Sequence, residues 1–499
     1  MLNNDFKILK SGTDIRGVAT DDIKTEALNL TDEKLEQIAT GFLLFLAKKF
    51  GKEVSQLKLA IGRDCRISGE HILNTVLNTF LKYGATVINC GLASTPSMFM
   101  AGIDLDCDGT IEITASHHPF NRNGLKFFTQ DSGLDHTDIT EILELAQSGK
   151  TPASALGSVV QQNYMQTYAQ HLQNIIKQGV NAKNYDQPLL GYKIVVDAGN
   201  GVGGFYANDV LKPLGADIAG SRFLEPDGMF PNHIPNPELQ VAMDSITEAV
   251  LQNNADLGVI FDTDVDRGAA VDSSGKEINR NRLIALVSLI ALEKTSGGTI
   301  VTDSITSSGV HEFIEKNLGG KHCRYMRGYR NVINKSIELN EQGIPSLCAI
   351  ETSGHVAFKD NYFLDDGAYL VTQIIIKFAK CRQQGIAFED LLKDLKEPAE
   401  EKELRFNIAE SDFIACGKRI LAELEQYAKQ TEGWSLADDN VDAIRINFGQ
   451  NDGDGWVLLR LSVHDPVMPL NIESNRKGGV QILEDKIMAF LKQTKGLQY

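Results

Sequence analysis

The sequence predicts a layered α/β protein: three tandem, related mixed α/β domains followed by a smaller C-terminal α+β domain. Three observations predict it. Short apolar, strand-like runs alternate with helical patterns along the chain, which calls for helices layered on sheets. One theme occurs three times: an apolar strand, a Gly- or Ser-rich polar turn, a helix, then a Gly-Gly or Gly-Ala step into another strand. The last hundred residues differ in texture, with a helix around Ser411–Gln430, strands in DAIRINFG and GWVLLRLSV, and a closing helix after Gly479.

The first copy of the theme is KLAIGRDCRISGE followed by YGATVINCG. The second is YKIVVDAGNGVGG followed by LGADIAG, and the third GTIVTDSITSSG followed by LGGKHCRYM. No shorter period is visible, which argues against a solenoid. Linker-like composition in SGKTPASALGS (148–158) and KEPAEEKE (396–403), and the passage GKEINRNR (275–282), divide the chain. The expected domains are 1–158, 159–280, 281–398 and 399–499.

Composition narrows the function classes. Apolar residues make up 42% and charged residues 23% of the 499, an ordinary globular balance that excludes disorder. The formal charge of 49 − 66 = −17 disfavours general binding to nucleic acid or anionic membrane, so a phosphate site must gather its own Arg and Lys. Seven cysteines, an odd number without a C-x-x-C pair, read as reduced thiols of a cytoplasmic protein. The opening MLNNDFKILKSGTD has no apolar leader, and the apolar stretch Leu283–Leu292 is too short to span a bilayer and reads as a buried helix.

Four segments carry chemistry. In FDTDVDR (261–267), a buried-looking strand ends in Asp262, Asp264 and Asp266 at alternate positions. Such an oxygen set at the carboxyl end of an α/β strand suits a hard divalent cation. Arg267 beside it is placed to hold a metal-bound anion. The downstream Gly and Glu of a calcium-binding EF-hand loop are missing. In ITASHHPFNRNGLKFF (113–128), Ser116 sits on a polar turn after a strand, beside His117 and His118, a nucleophile with a local base, and Lys126 follows with a flexible charge. No G-x-S-x-G elbow is present, which weighs against an esterase. In AIETSGHVAF (349–358), Glu351, Ser353 and His355 offer donors and acceptors for adjacent hydroxyls. Finally, Arg16, Arg63, Arg66, Arg327 and Arg330 stand on glycine-flanked turns, where arginines face oxyanions or form surface salt bridges. The proline-rich stretch EPDGMFPNHIPNPE (225–238) reads as a stiff connector, and none of its residues is assigned to the site.

Together these segments resemble the α-D-phosphohexomutase superfamily over nearly the whole chain. SGTDIRG is similar to that family's opening F-G-T-D-G-I-R-G, and GRDCRISG to G-R-D-x-R-x-S-G. TASHHP resembles the phosphoserine loop T-A-S-H-N-P, DTDVDR the magnesium loop D-G-D-G-D-R, and ETSGH the sugar loop E-M-S-G-H. The resemblance implies three α/β domains and a smaller fourth around a central cleft, and an enzyme interconverting hexose 1-phosphate and hexose 6-phosphate. Mannose and glucose are the implied sugars, with Mg²⁺ as cofactor and a hexose 1,6-bisphosphate as activator and intermediate.

The resemblance also implies roles. Ser116 carries phosphate and joins Asp262, Asp264 and Asp266 around the metal. Arg16, His117, Lys126 and Arg267 serve catalysis, with Lys126 the favoured proton carrier and His117 holding the loop. Glu351, Ser353 and His355 grip the sugar, Arg327 and Arg330 lie where the family's third domain contacts substrate, and Arg460 and Ser462 match the C-terminal phosphate loop. Departures from the pattern stand at Val265, where the family has glycine, at His118, where it has Asn, and in RLSVHDP (460–466). There Val463 and His464 replace a small residue and a threonine, leaving His464 or the nearby Asn475, Arg476 and Lys477 to contribute to the phosphate grip. Phosphoglucosamine mutase, a metal-dependent phosphatase and a non-catalytic sugar-phosphate-binding relative are the alternatives; the partners expected are sugar phosphates, with the chain a monomer or homodimer.

Overall fold

The computed structural model describes residues 2–462 and 465–498. The chain divides into two compact units, residues 1–283 with 353–391, and residues 284–352 with 392–499.

The first unit contains two sheets. The larger has seven strands in the order Lys10–Ser11, Asp14–Val18, Arg122–Phe128, Gly109–Ile113, Lys58–Arg63, Thr86–Leu92, Ser158–Gln161. Lys58–Arg63 lies parallel to both Gly109–Ile113 and Thr86–Leu92, whereas Arg122–Phe128 runs antiparallel to its two neighbours. Gly109–Ile113 is buried along its whole length, which fits a central strand covered on both faces. The helix Asp32–Phe50 shows why such elements form where they do. Thr31 caps it by accepting from the Lys34 amide, Asp32 and Glu33 stand in its first turn and Lys48 and Lys49 in its last, and Gly51 ends it in the left-handed region. Leu35, Ile38, Phe42, Leu43 and Leu46 form its buried stripe.

The second sheet has four strands. Ile194–Asp197 pairs in parallel with Leu257–Phe261, which returns as an antiparallel hairpin through Gly268–Asp272 to Glu277–Ile278. The six residues 262–267 are the hairpin connection, so the carboxylate triplet falls at the carboxyl end of a fully buried strand.

The second unit also combines two sheets. Thr299–Asp303 lies parallel to Lys321–Tyr325 on one side and Ser346–Ile350 on the other. A six-stranded antiparallel sheet follows, in the order Ser435–Leu436, Ala443–Phe448, Gly455–Arg460, Val467–Ser474, Glu400–Ile408, Leu497–Gln498. Helices Phe413–Gln430 and Gly479–Leu491 share a hydrophobic core with it. One buried seam joins the two sheets of this unit. The Arg445 guanidinium stacks 3.8 Å over the Trp456 ring and donates to the carbonyls of Ser304 and Thr306, while Trp456 Nε1 and Ser307 both donate to Glu473.

The mixed α/β class holds, with three α/β layers and a β-rich C-terminal region. Each copy of the threefold theme is a strand, a turn, helical turns and a second parallel contact: Lys58–Arg63 with Thr86–Leu92, Thr299–Asp303 with Lys321–Tyr325, and isolated parallel bridges Lys193↔Asp217 and Asp197↔Arg222 in the second copy. There the helix is of π type over Tyr206–Leu211. The apolar stretch Leu283–Leu292 lies in the helix Arg280–Lys294 and is largely buried. No helix among the described residues is long and apolar enough to cross a membrane. All seven cysteines are free thiols.

The Phe42 ring lies 4.8 Å from that of Phe127 and 6.5 Å from that of Phe80. Replacing Phe42 by Ala should therefore destabilise the first unit by about 3–5 kcal/mol. The measurement is a urea transition followed by circular dichroism, because both tryptophans, Trp434 and Trp456, belong to the second unit.

Candidate functional site

The site of the first unit starts from the turn after Gly109–Ile113. Ser116 is 3% exposed and sits in the left-handed region at φ 51°, its amide bonded to Thr114 Oγ1 at 2.9 Å. A non-glycine residue at positive φ costs free energy, so something must impose it. Arg66 does. It is 1% exposed, and its guanidinium donates to the carbonyls of Ser116, His118, Pro119 and Arg122, while its Nε pairs with Asp64 at 3.2 Å. The glycine-flanked Arg66, expected to meet an oxyanion or a surface acid, instead fastens the backbone of the serine loop.

The Ser116 hydroxyl faces three groups. Asp262 Oδ2 lies 3.1 Å away, His117 Nδ1 3.3 Å and Arg267 Nη2 3.4 Å. Arg267 donates from Nη2 to His117 Nδ1 at 2.8 Å and from Nε to Asp262 Oδ2 at 3.1 Å. Its Nη1 reaches Asn236 Oδ1 at 3.1 Å and Glu238 Oε2 at 3.2 Å. Because Nδ1 of His117 accepts from a guanidinium, the ring is neutral there. Burial, Arg267 and Arg16 push its pKa down to about 2. Burial and Arg16 likewise push His118 down to about 3.

Asp262, Asp264 and Asp266 are buried, and one oxygen from each lies within 4.8 Å of the others. Oδ1 of Asp264 and Oδ1 of Asp266 are buried without a hydrogen-bond partner among the described residues. An all-oxygen donor set with unspent lone pairs fits a hard divalent cation such as Mg²⁺. The Lys126 ammonium bonds Asp264 Oδ2 at 2.8 Å and also Asp266 Oδ2, and Thr95 donates to Asp264 Oδ2 at 2.6 Å. Burial, then the charges of Asp266 and Asp264, drive the Asp262 carboxyl well above its ordinary range. Burial opposes the charge of Asp266, but Lys126 above all, with Arg267, prevails and holds it well below. For Lys126 burial is likewise outweighed by Asp264 and Asp266, so the ammonium keeps its proton.

Val265, between two of the carboxylates, is fully buried at φ 65°. A β-branched residue is strained there. The conformation is held by its carbonyl, which accepts from the Gly367 amide at 3.0 Å. A Cβ at Gly367 would stand 2.5 Å from the Arg267 carbonyl oxygen, so glycine is required for this approach. Gly367 begins the helix Gly367–Gln384, and the segment leading to it carries Ser353 and His355. Ser353 Oγ and His355 Nδ1 are 2.9 Å apart, residue 355 bridges Arg267 in antiparallel register, and His355 Nε2 lies 4.0 Å from Asp266. Burial lowers the His355 imidazole to about 3, against the pull of Asp266. Arg16, on the strand Asp14–Val18, pairs with Asp14 at 2.7 Å, and its charge acts on both His117 and Lys126.

The remaining expected residues belong to the second unit. Glu351 directly follows the largely buried strand Ser346–Ile350 and accepts from the Gly328 amide at 2.6 Å. Arg460 ends the strand Gly455–Arg460. Its Nε is buried with no hydrogen-bond partner among the described residues, and burial and the neighbouring Arg327 push its pKa down to about 10. The Nε of Arg330 is buried in the same condition. Such under-satisfied cations are suited to an incoming anion. Ser462 Oγ accepts from the Asp465 amide at 3.3 Å. Val463 and His464 lie outside the described residues.

Sequence reasoning missed several supports. Thr95 on Asp264 and the Asp303–Thr352 bond at 2.8 Å leave no motif. Asn236 and Glu238 sat in the stretch read as a connector, where the only signal was its density of proline. The parts brought together are those phosphoryl transfer requires: an oriented hydroxyl, concentrated positive charge and a carboxylate set for a cation.

Comparison with known proteins agrees with this class. The chain matches the phosphoglucomutase/phosphomannomutase α/β/α domain I over residues 11–152, domain II over 166–275 and domain III over 279–398. It belongs to the phosphoglucomutase/phosphomannomutase family, within the α-D-phosphohexomutase superfamily. It is 27% identical over 487 residues to a phosphoglucomutase of Neisseria meningitidis serogroup A, covering 97% of this chain and 96% of that one. It is 29% identical over 486 residues to a phosphoglucomutase/phosphomannomutase of Thermococcus kodakarensis, covering 95% and 98%. A solved structure of a family protein from Burkholderia thailandensis superposes with a TM-score of 0.80 at 24% identity, covering 99% of this chain and 98% of that one.

Two outcomes follow from the site. Asp264→Asn should raise the Mg²⁺ concentration for half-saturation at least about tenfold, measured by calorimetry on the full chain. His117, His118 and His355 are neutral in the fold, with pKa values of about 2, 3 and 3. Unfolded, they would take protons near pH 6.5. Stability should therefore be full above about pH 6.5 and fall progressively as the pH drops towards those values, read as a declining melting temperature that His355→Asn partly flattens.

Proposed function

We propose that this chain is a phosphohexomutase of the cytosol, interconverting hexose 1-phosphate and hexose 6-phosphate of mannose, glucose or both. The observation that carries the reading is the convergence of Asp262, His117 and Arg267 on the Ser116 hydroxyl in a chain of this family. The relatives named above bear the names phosphoglucomutase and phosphoglucomutase/phosphomannomutase, which supports glucose and mannose over glucosamine.

In this reading Ser116 carries a phosphoryl group, passes it to one end of the sugar phosphate to give a hexose 1,6-bisphosphate, and receives back the phosphate from the other end. Asp262, Asp264 and Asp266, with Ser116, would hold Mg²⁺, which neutralises phosphoryl oxygen charge when bound. Arg267, held from Asn236, Glu238 and Asp262, directs its charge at the same phosphate. Lys126, which keeps its proton while paired with Asp264 and Asp266, would become the proton carrier once those carboxylates turn to the cation, giving a proton to the oxygen leaving phosphorus and taking one from the attacking hydroxyl. Arg16 adds positive charge beside it, and His117, kept neutral, steadies Arg267. Glu351, Ser353 and His355 accept and donate to the sugar hydroxyls, while Arg460, Ser462 and Arg330 receive the phosphate that is not reacting. The domain limits 1–158, 159–280, 281–398 and 399–499 assign one loop of the reaction to each domain.

The test is an assay of glucose, mannose and glucosamine 1-phosphates with Mg²⁺ and a trace of hexose 1,6-bisphosphate, following 6-phosphate and free phosphate. Conversion of glucose or mannose that depends on the bisphosphate, with little free phosphate, is the expected result. Predominant phosphate release would identify a phosphatase instead. Ser116→Ala should abolish covalent phosphate and lower turnover by about 10³-fold or more. Arg460→Ala should raise KM for the sugar phosphate at unchanged metal affinity.

A further inference from the structure

Residues 225–238 do more than connect. The segment is tied down at several points along its length. Asn200 accepts from the Asp227 amide at 2.8 Å and from Asn232 Nδ2 at 2.7 Å, and donates to the Glu225 carbonyl at 2.8 Å. The Phe230 ring lies 5.3 Å from the Arg66 guanidinium, and Asn279 donates to the Pro237 carbonyl at 2.8 Å. At its far end the segment presents Asn236 and Glu238 to Arg267 Nη1. Gly199 permits the central crossing, since a Cβ there would stand 2.7 Å from the Pro235 Cβ.

His233 occupies the middle of the segment and is 8% exposed. Its Nδ1 lies 3.0 Å from the Ile234 carbonyl oxygen and its Nε2 3.1 Å from Asp197 Oδ1. A carbonyl can only accept, and so can an ionised carboxylate, so both ring nitrogens must donate. Asp197 is fully buried at the end of the strand Ile194–Asp197. It is fixed by the Gly199 amide at 2.8 Å and the Ser245 hydroxyl at 2.6 Å. The edge of the Phe223 ring packs on the imidazole with centroids 5.5 Å apart. Asp197 is the charged group that acts on the ring.

We propose that residues 225–238 are a strap that positions Arg267 towards the phosphate on Ser116, and that the doubly donating, charged imidazole of His233 is the pin that holds it. This rests on the role given to Arg267 above. His233 touches no reacting atom and is a positioning residue. Burial opposes its charge, but the hydrogen bond and ion pair with Asp197 prevail and raise its pKa above the usual value. The pin is therefore complete while the pH lies below that raised value. It is lost as the pH rises through that raised value, when one of the two acceptors is left without a proton.

The experiment uses the full chain, His233→Gln and Asn236→Ala. Hydrogen exchange of residues 225–238 and steady-state kinetics on the hexose phosphate are measured at matched pH. His233→Gln should raise exchange in the strap about tenfold at pH 7. It should lower kcat about tenfold with KM within about twofold. In the wild type the strap should loosen and kcat fall on the alkaline side, towards the variant's values, while His233→Gln lacks this step. Asn236→Ala, which cuts the strap from Arg267 and leaves the pin, should lower kcat similarly with strap exchange unchanged. It decides the question if His233→Gln does not fold. A His233→Gln enzyme with wild-type exchange overturns the pin, and wild-type kcat in both variants overturns the positioning role. Should the wild type turn over no hexose phosphate, the functional reading fails, while the exchange measurement still decides the pin.

Discussion

Everything at the site of the first unit depends on one buried cation whose terminal nitrogens are spent on backbone. Arg66 neither meets substrate nor balances a surface acid. Its four terminal N–H groups are taken by four carbonyls of the serine loop, and Asp64 supplies its counter-charge. Hydrogen bonds from a charged donor contribute about 1.5–3 kcal/mol each, and removing an acceptor would leave a buried guanidinium unsatisfied. That is sufficient to impose the positive φ of Ser116 and to keep its hydroxyl facing Asp262 and Arg267. The strap presses Phe230 onto the same guanidinium, so the two loops that present Ser116 and Arg267 share a support.

The second constraint is charge concentrated out of water. Three buried carboxylates within one turn repel each other, and the structure answers with Lys126 and Arg267 rather than with solvent. The three histidines around them carry no charge, because burial beside arginines disfavours the imidazolium. The arrangement resembles a salt crystal more than a surface cluster: each ion is held by its neighbours, and removing one alters the rest. An acidic chain of net −17 thus sets two buried cations against three buried acids beside one hydroxyl.

Much of this was legible in the sequence, and the reason is local. Strand ends, the D-x-D-x-D spacing, the Ser-His-His turn and the thrice-repeated strand–turn–helix are contiguous, so their geometry follows from short-range rules. What was not legible is non-local. GRDCRISG suggested an oxyanion arginine because glycine and arginine alone do not reveal that Arg66 turns inward to carbonyls some fifty residues on. The proline-rich stretch announced stiffness but not its grip on Arg267. Val265 stood out as a departure from the family pattern, yet only the Gly367 contact shows how a β-branched residue is held there.

The seam of the second unit has an optical consequence. Trp456 is one of only two tryptophans, and the cation at 3.8 Å over its ring and the carboxylate at its Nε1 are contributed by two further strands of the β-rich sheet. The Arg445 guanidinium is in turn held by carbonyls of the neighbouring α/β layer. A charged group above an indole shifts its emission. The chain therefore carries a native fluorophore whose colour registers whether those two layers are joined, without any label being introduced.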